Sequence, residues 1–270
     1  MIPAAPVPAA RHAGPALLVV AHGSRDPRHA ATVAALTGRV RALRPGLRVE
    51  LCYLDFNLPT VGQALARLHG EGVRRVIALP LLLTRAFHAK HDIPGVLGEE
   101  TARLPGLAVR QAEVLGPHPL LAAALTRRLA EAGLRTGSAA DRAATGVVLA
   151  SAGSTDPEAG AVIAQTAREW RRAAGWCAVR PAFASACLPR PADVVRALRA
   201  DGVRRVVVAP HVIAPGFLPD RIAAGAREAG ADLLAPVLGD APELAALLVH
   251  RYDGALATRP AARRALAVGC

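Results

Sequence analysis

Short runs of consecutive apolar residues alternate along this chain with longer stretches in which apolar positions recur three or four residues apart. Residues 17–21, 47–54, 73–82 and 107–114 carry the first pattern and read as buried strands. Residues 28–44, 60–70, 92–103 and 119–132 carry the second and read as helices. Continuous apolar strands separated by helices of ten or more residues predict a parallel sheet covered on both faces. Asp26-Pro27, just past the first strand, has the form of an N-cap followed by proline at the first helical position, and Asp156-Pro157 repeats it.

That repetition extends through the whole chain. At a shift of 130 residues, Ala21-His22-Gly23-Ser24-Arg25-Asp26-Pro27 falls on Ser151-Ala152-Gly153-Ser154-Thr155-Asp156-Pro157, and Gly72-Val73-Arg74-Arg75-Val76 falls on Gly202-Val203-Arg204-Arg205-Val206. Leu58-Pro59 falls on Leu188-Pro189, and Phe87 on Phe217. One shift through separated blocks implies two copies of one module with no net length change between them. Residues 133–146, small and polar, read as the linker. The expected fold is therefore α/β: two tandem-duplicated modules, 1–137 and 138–270, each a mostly parallel sheet with helices on both faces. A cleft should lie between the carboxyl ends of their strands, where ligands bind in such sheets.

Composition narrows the functional classes. The 270 residues are 52% apolar, 20% charged and 3% aromatic, with 33 basic against 21 acidic side chains and a net charge of +12. Lys90 is the sole lysine, and the arginines are scattered rather than gathered on one arm, which argues against a nucleic-acid partner. The first module holds 17 basic and 9 acidic residues (+8), the second 16 and 12 (+4), so an acidic small molecule would be drawn more to the first. The longest apolar run, 76–83, is too short for a bilayer, and the proline-rich first sixteen residues lack the core of a signal peptide. Cys52, Cys177, Cys187 and Cys270 form no CxxC pair, which fits free thiols in a reducing compartment. These features predict a cytoplasmic monomer with internal pseudo-two-fold symmetry and no membrane partner.

Candidate chemistry comes from what the copies do not share. His22 becomes Ala152, His88 becomes Leu218 and Asp55 becomes Ser185, while neighbouring Gly, Ser, Asp and Pro are kept. Two imidazoles and a carboxylate on one strand-end rim suit either a divalent transition metal or a general base with its partners. Ser24 and Ser154, in turns before helix N-termini, suit carboxylate groups of a ligand. His91 reads equally as an assistant to His88 or as a surface residue. His118 reads as structural; His12, His29, His69 and His250 as surface residues; and His211, which replaces Leu81, as a peculiarity of the second copy. No G-x-S-x-G, Walker A or strand-linked G-x-G-x-x-G is present.

Val20-Ala21-His22-Gly23-Ser24-Arg25-Asp26-Pro27, taken with Phe87-His88-Ala89-Lys90-His91-Asp92-Ile93-Pro94, resembles the CbiX/SirB sirohydrochlorin chelatase family in its long, two-module form. The resemblance covers nearly the whole chain. It implies insertion of Fe²⁺ or Co²⁺ into a reduced tetrapyrrole, in sirohaem or cobalamin biosynthesis, without ATP or any cofactor beyond the metal substrate. It assigns metal binding and proton acceptance to His22 and His88, with Asp55 standing where the family usually has glutamate. Ser24, Arg25 and Phe87 in the first module, with Ser154 and Phe217 in the second, are the expected substrate-binding residues. The alternative is a metal carrier or a tetrapyrrole-binding sensor using the same groups without catalysis.

Overall fold

A computed structural model describes residues 14–85, 92–135 and 137–258. The first module contributes β1 (Ala16–Ala21), α1 (Pro27–Leu43), β2 (Val49–Tyr53), α2 (Val61–Gly70), β3 (Arg75–Pro80), α3 (Ile93–Ala102), β4 (Ala108–Gln111) and α4 (Pro119–Glu131). The remainder is α5 (Ala139–Ala143), β5 (Thr145–Ser151), α6 (Pro157–Ala174), β6 (Ala178–Phe183), α7 (Pro191–Ala200), β7 (Arg205–His211), α8 (Phe217–Glu228), β8 (Leu233–Leu234) and α9 (Pro242–Ala257). The strand order is β2-β1-β3-β4 in one sheet and β6-β5-β7-β8 in the other. All pairings are parallel, with Leu17 opposite Val49 and Ile77, and Val147 opposite Val179 and Val207. Every residue of β1 and of β5 is buried, as strands covered on both faces require.

Helix starts follow local chemistry. The Asp26 carboxylate accepts the Arg28 N–H at 2.9 Å and Asp156 accepts the Glu158 N–H at 3.0 Å, so both predicted caps form. Thr60 and Gln63 make a reciprocal capping box on α2.

The outer face of the first sheet packs on α2 and α3, that of the second on α7 and α8. The inner faces share one core that runs through both modules. There α9, the last helix among the described residues, lies on α1, α4 and β3 of the first module, while α4 reaches across to β7 of the second. Trp170 on α6 donates its indole N–H to Thr126 Oγ on α4 at 3.0 Å and meets Trp176 edge-on at 6.2 Å. Arg39–Asp240, Arg44–Asp253 and Arg127–Glu243 ring this core with exposed ion pairs of 2.7 to 3.0 Å.

The stretch read as the linker holds α5, capped by Ser138, and the start of β5. The repeat also changes length. Leu115 N–H donates to Leu82 O and Leu238 N–H to Val212 O. The acceptors are 130 residues apart and the donors 123, so the second copy has lost seven residues between β7 and β8. Leu115-Gly116 and Pro119 thus correspond to Leu238-Gly239 and Pro242, a match hidden by the constant shift.

Candidate functional site

The site grows from the turn after β1. Gly23 has φ +96°, and a Cβ there would run into the Asp55 carbonyl, so only glycine lets the loop after β2 close on this turn. Leu54 and Asp55 N–H donate to Ala21 O and His22 O, both at 2.9 Å, which carries the β1–β2 pairing past the strands and sets His22 beside Asp55. Asp55 Oδ1 accepts the Phe56 N–H at 2.8 Å, and Phe56 is held in the left-handed region at φ 61°. The His22 and Phe56 rings meet edge-on at 6.3 Å, and the Arg25 guanidinium lies 5.2 Å above the Phe56 ring.

His22 and Asp55 open into a cavity of about 490 Å³ whose other wall is α3. Asp92, Gly95, Val96 and Glu99 form that wall, one helical face at spacings of three, four and seven. Asp92 begins α3 without capping it through its side chain, contrary to the capping role implied by its position, and with Glu99 it adds two carboxylates the sequence reading did not assign. Their spacing from Gly95 and Val96 was the available signal.

His29 departs from its expected place at the surface: it is half-buried, with Nδ1 enclosed and unpartnered. Burial, then the neighbouring His22, lower its pKa, while Asp26 opposes them. His29 becomes Ala159 in the second copy, so it too belongs to the set of groups particular to the first. His118 is structural as expected, its Nδ1 accepting the Leu120 N–H at 3.2 Å to cap α4. Phe87, His88 and His91 lie outside the described residues, as does His12. Among the described residues, no three of His, Cys, Asp or Glu are placed to hold a metal ion together.

The second module keeps the frame and changes its contents. Gly153 has φ +94° with the Ser185 carbonyl where a Cβ would go, Ala186 repeats the left-handed Phe56, and Ser185 N–H donates to Ala152 O at 2.9 Å. Ser24 and Ser154 hydroxyls each accept an N–H, from Asp26 and Asp156, at 3.1 Å. The two turns differ in their side-chain bonds: Ser24 N–H donates to Asn57 Oδ1 at 2.8 Å, a partner replaced by Cys187, while Ser185 Oγ donates to Ala152 O at 2.9 Å in the second module. Phe217, 73% exposed, begins α8 beneath the Arg221 guanidinium at 5.7 Å. The N-terminal ends of α1 and α8 are tied where Arg28 bridges Asp26 and Asp220, each at 2.6 Å.

A model of the CbiX family matches residues 16–132 and, separately, residues 146–255. The chain is 26% identical over 248 residues to the sirohydrochlorin ferrochelatase of Priestia megaterium, a match covering 90% of this chain and 91% of that one. It is 26% identical over 206 residues to the sirohydrochlorin cobaltochelatase of the same organism, covering 76% and 66%. Among solved structures it is similar to SirB from Bacillus subtilis with Fe³⁺, with a TM-score of 0.78 and 25% identity over 90% of this chain and 95% of that one. With the family pattern carried once on each of its two sheets, the chain belongs to the CbiX family.

Proposed function

We propose that the chain is a sirohydrochlorin chelatase, a lyase-type enzyme that inserts Fe²⁺ or Co²⁺ into a reduced tetrapyrrole. One observation carries the reading: a cavity joins His22 to Asp55 on the first module, while the same backbone in the second carries Ala152 and Ser185. A frame kept twice and chemically equipped once is the mark of a single reaction centre. Relatives named for both metals match at the same identity, so the proposal extends to either.

Insertion exchanges one hydrated divalent ion for two pyrrole N–H protons. In this reading residues 1–137 hold the reacting groups and 138–270 form the opposing wall. His22 and His88 bind the incoming ion and accept protons, since neutral imidazole does both near pH 7. Asp55 offsets the metal's charge and passes protons outward. Too few protein ligands to cage the ion leave it free to move into the macrocycle. Ser24, Arg25 and Phe87 hold the substrate on the first module. On the second, Ser154 N–H, whose counterpart Ser24 N–H is taken up by Asn57 Oδ1, receives a peripheral carboxylate and Phe217 packs on the ring. The reading uses one chain, in the cytoplasm, with no cofactor beyond the metal substrate. Among the described residues no helix is long and apolar enough to cross a membrane.

The test is to mix sirohydrochlorin anaerobically with Fe²⁺ or Co²⁺ and follow absorbance with and without the protein. Catalytic acceleration at substoichiometric protein supports the proposal. Stoichiometric binding without acceleration would assign a carrier or sensor instead.

A further inference from the structure

Two arginines, one in each module, share a geometry that their neighbours do not. Arg25 lies 5.2 Å over Phe56 and Arg221 5.7 Å over Phe217. Among the described residues neither guanidinium makes an ion pair, whereas Arg28, Arg39, Arg44 and Arg127 at the module junction are all paired with carboxylates. Phe56 is 50% exposed and Phe217 73%, an unusual state for large apolar side chains on an otherwise well-packed chain. The Arg28–Asp220 pair ties the two segments together, since Arg25 lies three residues before Arg28 and Arg221 follows Asp220 directly.

The stacks are not symmetry mates. At the shift of 130, Arg25 and Phe56 correspond to Thr155 and Ala186, so the second copy has lost that pair and carries another on α8. A guanidinium beside an exposed ring offers N–H donors next to an apolar surface. That is the complement of a flat apolar molecule with carboxylates on its rim.

We propose that Arg25–Phe56 and Arg221–Phe217 form a two-sided grip on one edge of the tetrapyrrole, the rings contacting the macrocycle and the guanidiniums its peripheral carboxylates. Phe56 and Arg221 thereby become specificity-determining residues, and the inference rests on the chelatase reading above. The grip selects substrates with free carboxylates on that edge and fixes which side of the ring faces His22.

Steady-state insertion of Co²⁺ into sirohydrochlorin by the full chain tests it. Arg25→Gln and Arg221→Gln should each raise KM for sirohydrochlorin about tenfold with little change in kcat, the loss of one charged hydrogen bond. Phe217→Ala should raise KM as well. Arg227→Gln removes the same charge from the same helix, away from either ring, and should keep the wild-type KM. An equal rise in Arg227→Gln would reduce the effect to net charge and overturn the grip. Wild-type KM in both Arg25→Gln and Arg221→Gln would overturn it while leaving the chelatase reading standing. No acceleration by the wild-type chain would remove the reading itself.

Discussion

At the scale of single residues, the site depends on backbone more than on side-chain packing. Gly23→Ala puts a methyl group against the Asp55 carbonyl at a positive φ, so it should cost roughly 1–3 kcal/mol and move His22 away from Asp55. Urea denaturation and insertion rate, measured together, check both effects. His22→Ala should lower turnover by a factor of about 10² while shifting stability by no more than about 0.5 kcal/mol, because His22 is exposed. Asp55→Asn separates charge from architecture: the amide oxygen still accepts the Phe56 N–H, but the carboxylate charge beside His22 is gone. Turnover should fall while the melting temperature holds. The positions of His22 and Asp55 were legible because the duplicated chain is its own control. Asn57 was not: its change to Cys187 reads as loop variation until the Ser24 N–H is seen bonded to it. His29 read as surface because nothing in its sequence neighbours announces its partial burial.

At the scale of elements, strand and helix positions followed from periodicity, and the differences lie where the periodic signal is weak. β4 is four residues and β8 two, since edge strands beside a helix need little apolar sequence. The seven-residue loss before β8 was invisible because β1, β2 and β3 and their copies all keep the common shift. β7 carries a liability the first copy lacks. His211, its last residue, alternates with Val207 and Ala209 and so faces the shared core, fully buried, with neither ring nitrogen bonded. Burial pulls its pKa down to about 4. The unfolded chain takes up this proton near pH 6.5 and the folded chain only near pH 4, so stability declines as pH falls through that window and levels off below it. His211→Leu, which installs the residue found at Leu81, should flatten that decline. It should also add about 1–3 kcal/mol at pH 7 by removing an unsatisfied polar group. Urea midpoints at pH 7 and pH 4.5, with unchanged m-values, would read out both.

At the scale of the whole molecule, the two modules are separable in sequence but joined in space. The face of β3 that α9 covers belongs to a core containing Leu79, Leu125 and Leu248, drawn from both halves. A chain ending at residue 137 loses α9 and bares that face. Because α4 is the first-copy counterpart of α9, two truncated chains can cover each other by exchanging α4, so the fragment should dimerise. Light scattering on residues 1–137 should give twice the monomer mass; a folded monomer would mean that the face can close without α9.

The exchanged helix also sets an order of events at the ribosome. The first sheet, with the proposed reaction centre at its rim, is synthesised early, yet the helix that completes its inner face emerges only after the second sheet. The module proposed to carry the chemistry must therefore wait, apolar face open, until its copy has been made. During that interval α4, already translated, is the one helix of matching shape at hand, and a neighbouring nascent chain offers the same helix. Duplication gave this protein a second helix to cover its first sheet, and with it a vulnerability during translation: slow synthesis of the second half should favour the wrong partner for the first.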